Sequence, residues 1–546
     1  MDCECPQRQR DGGVVNRKFE VEVSRFFDEN RAQAGHGRRA AISGVNSMVF
    51  RVVNAVFQIG SVIFLARLLS PEDYGLVGMV LAVTGFAPLL VDLGSRDAIV
   101  RQTTITESEV STLFWITIGT GLLLTGVVAS SSHFIAGFYH DERLASITVI
   151  SALAFVATAL SCQHQALMRR ALMFKQLVAV EVSAGIGSGL LAIAMAFAGW
   201  EYWALVIRPI ALSVLITVGA WWYCPWMPSR PAFQPTIRRM IKFGLALIGG
   251  SLTEFVRGSI ERVAIGRRYG PEGLGQYQNG EQMFSQVMIL LTYLQDVAIG
   301  NLSKVLRDPA EFRRLWAKGL STMTFFAMPV FGALAVVGEN LARLLLGSKW
   351  STAGLILSIL ALRGIPQVID RTLGWLHVPA GHADRWMRWN VFATVAQIGA
   401  MLIGLPFGTT GVAIASVIVS YLLVLPGLAY AGRPLSIGVS DIVRVVGPQF
   451  VSAIAAFGVA ILSRQWFASF SSDVVTILGL LTVYAATYLL IVVSVFRLTS
   501  PIWVMWSVCA ETFFGRVRST SRLRVSHDVP SSEREEVVSQ SFSPGP

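Results

Sequence analysis

Fourteen apolar stretches of roughly membrane-spanning length dominate this chain, at 41–66, 75–95, 112–132, 145–163, 178–198, 202–223, 243–266, 275–300, 319–338, 350–370, 391–406, 410–431, 447–465 and 474–496. A helix that crosses a bilayer needs about twenty apolar residues, and in lipid only helices and closed barrels satisfy their own backbone groups. The pattern predicts an all-α polytopic membrane protein of about fourteen transmembrane helices. Composition agrees: 14% of the 546 residues are charged and 53% hydrophobic, with a mean hydropathy of +0.57. A soluble chain is about 25% charged, and one of this composition has too few polar groups to cover its core.

The distribution of charge sets the expected topology. With the N-terminus inside and the chain alternating, cytoplasmic segments hold 33 of the 45 Lys and Arg. Outside loops hold seven (Arg67, Arg143, Arg267, Arg268, Arg343, Lys349, Arg464), and the spans hold five (Arg51, Arg208, Arg257, Arg262, Arg363). Positive-inside bias of this size predicts that both termini are cytoplasmic. It also explains the formal charge of +11 without a nucleic-acid partner, since the basic residues fall in short clusters between apolar runs. The first forty residues hold no apolar leader stretch and are expected to stay in the cytoplasm. Within them, Phe19, Val23, Phe26 and Phe27 between Arg17 and Asn30 suit either an amphipathic helix on the inner leaflet or a solvated tail. The segment 497–546 is cytoplasmic, and its Ser/Arg/Glu-rich part after Gly515 is expected to be largely disordered.

The chain repeats itself. R-L-L-S-P-E-D-Y-G (Arg67–Gly75) and R-R-Y-G-P-E-G-L-G (Arg267–Gly275) share Arg, Pro, Glu and Gly at an offset of 200, and Gly44 and Gly244 obey the same offset. Pro and Glu also suit any helix start, and a repeated cap is still a repeat. Six spans separate the copies, so both halves enter the membrane in the same direction, as a parallel repeat. The expected organisation is two pseudo-symmetric six-helix lobes, 41–223 and 243–431, followed by two C-terminal helices in 447–496.

Charges inside the spans mark candidate binding residues, because each costs roughly 2.5–3.5 kcal/mol to insert at mid-membrane. The first span carries Arg51, Asn54 and Gln58 on one stripe, and the seventh carries Glu254, Arg257 and Glu261. Under the offset of 200, Glu254 lies over Asn54 and Gly258 over Gln58, so both faces are expected to line a gap between the lobes. The three charges of the seventh span also have the spacing to pair along their own helix. Arg51 has no acidic residue within a turn, and an unpaired guanidinium suits phosphate because its planar fork bonds two oxygens. Arg208, before Pro209, is a secondary candidate. So are Arg262 and Arg363, which are long enough to snorkel. Asp92, Asp296 and Asp370 stand close to cytoplasmic helix ends and suit interface or gating roles. Glu254 or Glu261 offers a place for a coupling cation.

No catalytic constellation stands out. The phosphate-binding loop G-x-x-x-x-G-K-[ST] and D-x-D are absent from the sequence, and His164, His377 and His382 are scattered. Of the five cysteines, only Cys3 and Cys5 are neighbours, and no second pair completes a metal set. No metal and no cofactor are expected.

Phe64–Met79 (F-L-A-R-L-L-S-P-E-D-Y-G-L-V-G-M), Leu89–Gly94 (L-L-V-D-L-G), Gln165–Lys175 (Q-A-L-M-R-R-A-L-M-F-K) and the segment around Glu281 resemble the Wzx-type bacterial polysaccharide flippases. These form part of the polysaccharide transporter family in the multidrug/oligosaccharidyl-lipid/polysaccharide superfamily, and the likeness is to its exopolysaccharide branch over residues 38–497. The resemblance implies a transporter of the bacterial inner membrane, with no enzymatic activity. It would flip undecaprenyl-diphosphate-linked oligosaccharide by alternating access, for exopolysaccharide or lipopolysaccharide synthesis. Its partners would be that lipid, the surrounding membrane lipid, and a polymerase or chain-length regulator. Arg51 and Arg257 match by position the cavity arginines of relatives that flip the peptidoglycan precursor. Glu254 and Glu261 make the second face more acidic than a simple phosphate cradle. The alternatives are a cation-coupled drug or small-molecule antiporter of the same superfamily and, from a different class, a membrane polysaccharide polymerase or acyltransferase.

Overall fold

The computed structural model describes residue 54 and residues 56–498, apart from 103, 233, 303–308, 378–382, 434–436 and 468–471. Arg51, Gly44, His382, the stretch Arg17–Asn30, Cys3, Cys5, Cys509 and the tail after Gly515 lie outside the described residues. No strand occurs among the described residues. The helices are α1 (Val56–Leu68), α2 (Pro71–Thr84), α3 (Ala87–Asp92), α4 (Ser95–Arg101), α5 (Glu107–Ser130), α6 (Ser132–Tyr139), α7 (Arg143–Arg170), α8 (Phe174–Phe197) and α9 (Trp203–Tyr223). There follow α10 (Pro235–Leu302), α11 (Pro309–Leu346), α12 (Ser351–Arg371), α13 (Leu373–His377), α14 (Ala383–Gly404), α15 (Gly408–Gly432), α16 (Val439–Phe467) and α17 (Asp473–Leu490).

Among the described residues the apolar runs lie on helices, with the 75–95 run broken between α2, α3 and the start of α4. Ten helical stretches are long and apolar enough to cross a membrane, and the chain is a multi-pass membrane protein. Three things separate ten from fourteen. The first run is described only from residue 54, the two runs on α10 are not among the ten stretches, and Asp384–Gly432 contains two runs in one stretch. Those last two part at a single 3-10 turn, Leu405–Phe407, where Gly408 takes φ 89°. Apolar side chains cover the outside, among them Trp222, Leu462 and Phe134, as a lipid solvent allows.

Local chemistry explains the helix ends. Ser70 caps α2, its hydroxyl accepting from the Asp73 amide while the Asp73 carboxylate accepts from the Ser70 amide, and Pro71 occupies the first helical position. The helix therefore begins four residues before the apolar run expected from 75. Arg143 donates to Glu72 of this first turn at 2.7 Å and to Asp141 at 2.7 Å. That hydrogen bond from Arg143 holds the Asp141 carboxyl below its ordinary range. Helices also outrun their apolar cores. The 38 residues of α11 span about 57 Å, well beyond the 319–338 run.

The two copies of the repeat meet. A Cβ on Gly75 would stand 1.6 Å from the Pro271 carbonyl oxygen, and one on Gly275 would stand 1.8 Å from that of Pro71. The copy in α10 contains a break at Gly270, whose φ of 70° and ψ of −175° no side chain tolerates easily. Towards the other end of α2–α4, a second close approach joins Gly94 to Gly244 of α10, where a Cβ on Gly94 would lie 2.4 Å from the Gly244 Cα. The trailing helices pack on α11. Gln449 of α16 donates to the Ser321 carbonyl at 3.2 Å, Tyr488 of α17 donates to that of Phe325 at 3.1 Å, and Arg464 bonds Glu339 at 2.9 Å.

Candidate functional site

The polar residues of the spans gather into two groups. The first lies on α1, α8 and α9. Arg208, half-buried about 8 Å into α9, donates from Nη2 to Gln58 Oε1 at 2.5 Å. It has no carboxylate partner among the described residues. Asn54 and Gln58 lie against Gly185 of α8, where a Cβ would come within 2.9 Å of both side chains. The Oδ1 of Asn54 is buried without a hydrogen-bond partner among the described residues. Small residues on α8 thus let the polar stripe of α1 sink into its own half of the molecule. The stripe was expected to face the gap between the lobes, but the structure turns Asn54 and Gln58 toward α8 and α9. Gly258, at Gln58's offset position, has open space around it.

The second group lies on α10, α12, α14 and α15. Arg257 Nη2 stands 3.0 Å from Glu254 Oε2, and its Nη1 stands 3.7 Å from Glu261 Oε2, so the guanidinium is largely neutralised along its own helix. Glu261 is buried and accepts a hydrogen bond from the Tyr277 hydroxyl. Arg363 is 6% exposed and does not snorkel. Its guanidinium sits 5.1 Å above the Phe284 ring, a cation–π arrangement that offsets part of its burial. Arg262 has its Nε buried without a hydrogen-bond partner among the described residues and does not line the cavity below.

Arg257, Arg363, Glu254, Gln367 and Asp370 line a cavity of about 110 Å³ together with Asn390, Gln397 and Ser420. Asp370 therefore belongs to this cavity and is not merely a residue of a helix end. Arg363, Gln367 and Asp370 recur at i, i+4 and i+7, one stripe of α12, and that spacing was visible in the sequence. Asn390, Gln397 and Ser420 carried no comparable signal, because single amides and hydroxyls are common in spanning helices. The chemistry differs between the groups: the first presents an unpaired cation beside amides, and the second a cavity of mixed charge. Phosphate oxygens suit the former and a compact polar or cationic group the latter.

Residues 64–354 match the family described as "Polysaccharide biosynthesis protein". The chain is 28% identical over 312 residues to the teichuronic acid biosynthesis protein TuaB of Bacillus subtilis, a match covering 56% of this chain and 64% of that one. It is 24% identical over 376 residues to the lipopolysaccharide biosynthesis protein WzxC of Escherichia coli, covering 67% and 75%. Among solved structures it is similar to the lipid II flippase MurJ in an inward closed conformation. There the TM-score is 0.64 at 14% identity, over 83% of this chain and 99% of that one, and the likeness is one of fold.

Proposed function

The chain belongs to the polysaccharide biosynthesis protein family, and from that premise we propose that it flips an undecaprenyl-diphosphate-linked oligosaccharide from the cytoplasmic to the periplasmic leaflet of the bacterial inner membrane. The observation that carries this reading is Arg208, a half-buried guanidinium held by Gln58 with no carboxylate beside it among the described residues. Such a cation inside a bundle calls for an anionic ligand, and a diphosphate supplies several oxygens for its planar fork. Arg51, which shares the helical spacing of Asn54 and Gln58 in the sequence, would supply a second cation. Sugars would enter the polar interior while the polyprenyl tail stays outside it. Residues 41–223 and 243–431 would act as two lobes that rock about the Gly75–Pro271 and Gly94–Gly244 contacts. A cation gradient or removal of product by a polymerase or chain-length regulator would drive the cycle. Both chain ends would then be cytoplasmic.

The experiment is a deletion strain in which the accessibility of lipid-linked oligosaccharide is measured on each face of the inner membrane. Build-up on the cytoplasmic face, relieved by the wild-type gene, is expected; unchanged export in the deletion strain would sink the proposal. The carboxylates of Glu254 and Asp370 in the mixed-charge cavity favour a second reading, a cation-coupled antiporter. That reading predicts drug or small-cation efflux and normal polymer export in the deletion strain.

A further inference from the structure

Two seams between the halves of the molecule are related by the 200-residue offset, and they are closed very differently. At the first, the end of α1 meets the turn between α11 and α12. Arg67 donates from Nε to the Leu345 carbonyl at 2.9 Å and from Nη2 to that of Leu344 at 2.6 Å. In return Lys349 donates from Nζ to the carbonyls of Arg67 at 2.9 Å and Leu69 at 2.5 Å, and Trp350 Nε1 donates to that of Ala66 at 2.8 Å. Each helix end thus has its unpaired carbonyls capped by a side chain from the other half, so this seam is latched.

At the second seam Arg267 occupies the position of Arg67. It caps no carbonyl among the described residues. Its Nη2 lies 3.0 Å from His140 Nε2, and its guanidinium carbon lies 5.7 Å from the Phe138 ring centre. Arg268, also exposed, has no hydrogen bond or ion pair among the described residues. Below the two arginines the seam opens into a groove of about 730 Å³ lined by Phe138, Phe255, Val256, Ile260, Val263 and Leu405. Val256, Ile260, Val263 and Arg267 recur at i, i+4, i+7 and i+11, an apolar stripe about 16 Å long that ends in a cation. No carboxylate lines the groove. Phe255, which lines the groove, packs edge-on against Phe86 at 6.2 Å between ring centres.

We propose that this groove seats the isoprenoid chain of the transported lipid, with Arg267 and Arg268 receiving its diphosphate at the groove's end once it has left Arg208. The inference rests on the function proposed above and adds the route by which the tail leaves the protein: the unlatched seam. An apolar channel ending in two adjacent arginines, with no acid to neutralise them, matches a hydrocarbon chain under a multiply charged headgroup. An ordinary phospholipid carries a single phosphodiester charge and fits two guanidinium groups less well.

The test uses the full chain in phosphatidylcholine vesicles and an isoprenyl diphosphate with a photoreactive group on its tail. Photolabel is expected on the segment 255–264. It should fall about tenfold in Arg268→Ala, which breaks no contact of the fold, and in Val263→Trp, which fills the groove. Excess phosphatidylglycerol should leave it unchanged. Label confined to other helices, label that survives both substitutions, or label displaced equally by phosphatidylglycerol would overturn the proposal. Export measured separately in the deletion strain tells the two readings apart. Loss of export in the deletion strain without groove labelling overturns this inference alone, whereas unchanged export there overturns the function as well.

Discussion

Gly75 lies directly against the carbonyl of Pro271, so close that a Cβ would stand 1.6 Å from its oxygen. Two hundred residues along, Gly275 lies in the same way against Pro71. Two copies of one short motif therefore cross each other reciprocally, and backbone-to-backbone contact at a crossing requires glycine. Gly78 meets the Gln278 side chain across the same crossing, its own counterpart at the offset.

Replacing Gly75 by Ala should consequently force α2 and α10 apart. Overpacking of this kind costs about 1–3 kcal/mol, to be read as a lowered Tm of the purified protein in detergent. Gly119→Ala, in a position with open space, should leave the Tm unchanged or raise it slightly. Equal Tm values for the two variants would show that the crossing tolerates a side chain.

Arg208 and Arg51 carry the proposed diphosphate contact. Arg208→Ala should reduce polymer export by about tenfold or more, with Arg208→Lys falling between because an ammonium lacks the planar fork. Arg51→Ala should abolish export while the protein still inserts, as judged by its membrane-fraction abundance. Normal export in either alanine variant removes that residue from the site.

The buried Glu261 has two jobs, as acceptor for Tyr277 and as part of the charge balance of Arg257. Glu261→Ala leaves both unpartnered on that side, and breaking a buried pair in this way costs about 3–5 kcal/mol. Glu261→Gln keeps an acceptor for the Tyr277 hydroxyl and should be milder. Thermal unfolding of the two variants checks the order, which an identical Tm would contradict.

The latch at Arg67 and Lys349 should be separable from folding. Each lost cap costs about 0.5–1.5 kcal/mol, so the double variant Arg67→Ala, Lys349→Ala should still fold. A cysteine placed at the buried Ala66 should then react with a thiol reagent many times faster than in the latched protein. An unchanged rate would mean that the seam is held by the Trp350 packing alone.

The helical class, the positions of the fourteen apolar runs and the repeat were all legible in the residue order. They depend on short-range quantities: hydrophobicity over one helix, charge between helices, and an identity at a fixed offset. The self-pairing of Glu254, Arg257 and Glu261 was equally readable, because partners at i+3 and i+4 are set by helix geometry. The cavity stripe Arg363, Gln367 and Asp370 was readable too, although Asp370 alone looked like a residue of a helix end.

What the residue order could not show was the direction in which a polar stripe points. Asn54 and Gln58 have the same spacing whether they face a gap or a neighbour, and it is Gly185 on α8 that lets them sink into their own half. Arg363 has a stem long enough to reach an interface, and only the Phe284 ring above which it lies keeps it inside. Arg67 and Arg267 occupy matching positions in a repeated motif, yet one latches a seam and the other overlooks a groove. Sequence alone determined that these are membrane-spanning helices and that the motif occurs twice, because both follow from patterns within a helix's own length. Tertiary structure alone decided which charges are neutralised, which remain free and which seam stays open, because those depend on the rotation of each helix against neighbours far away in the chain.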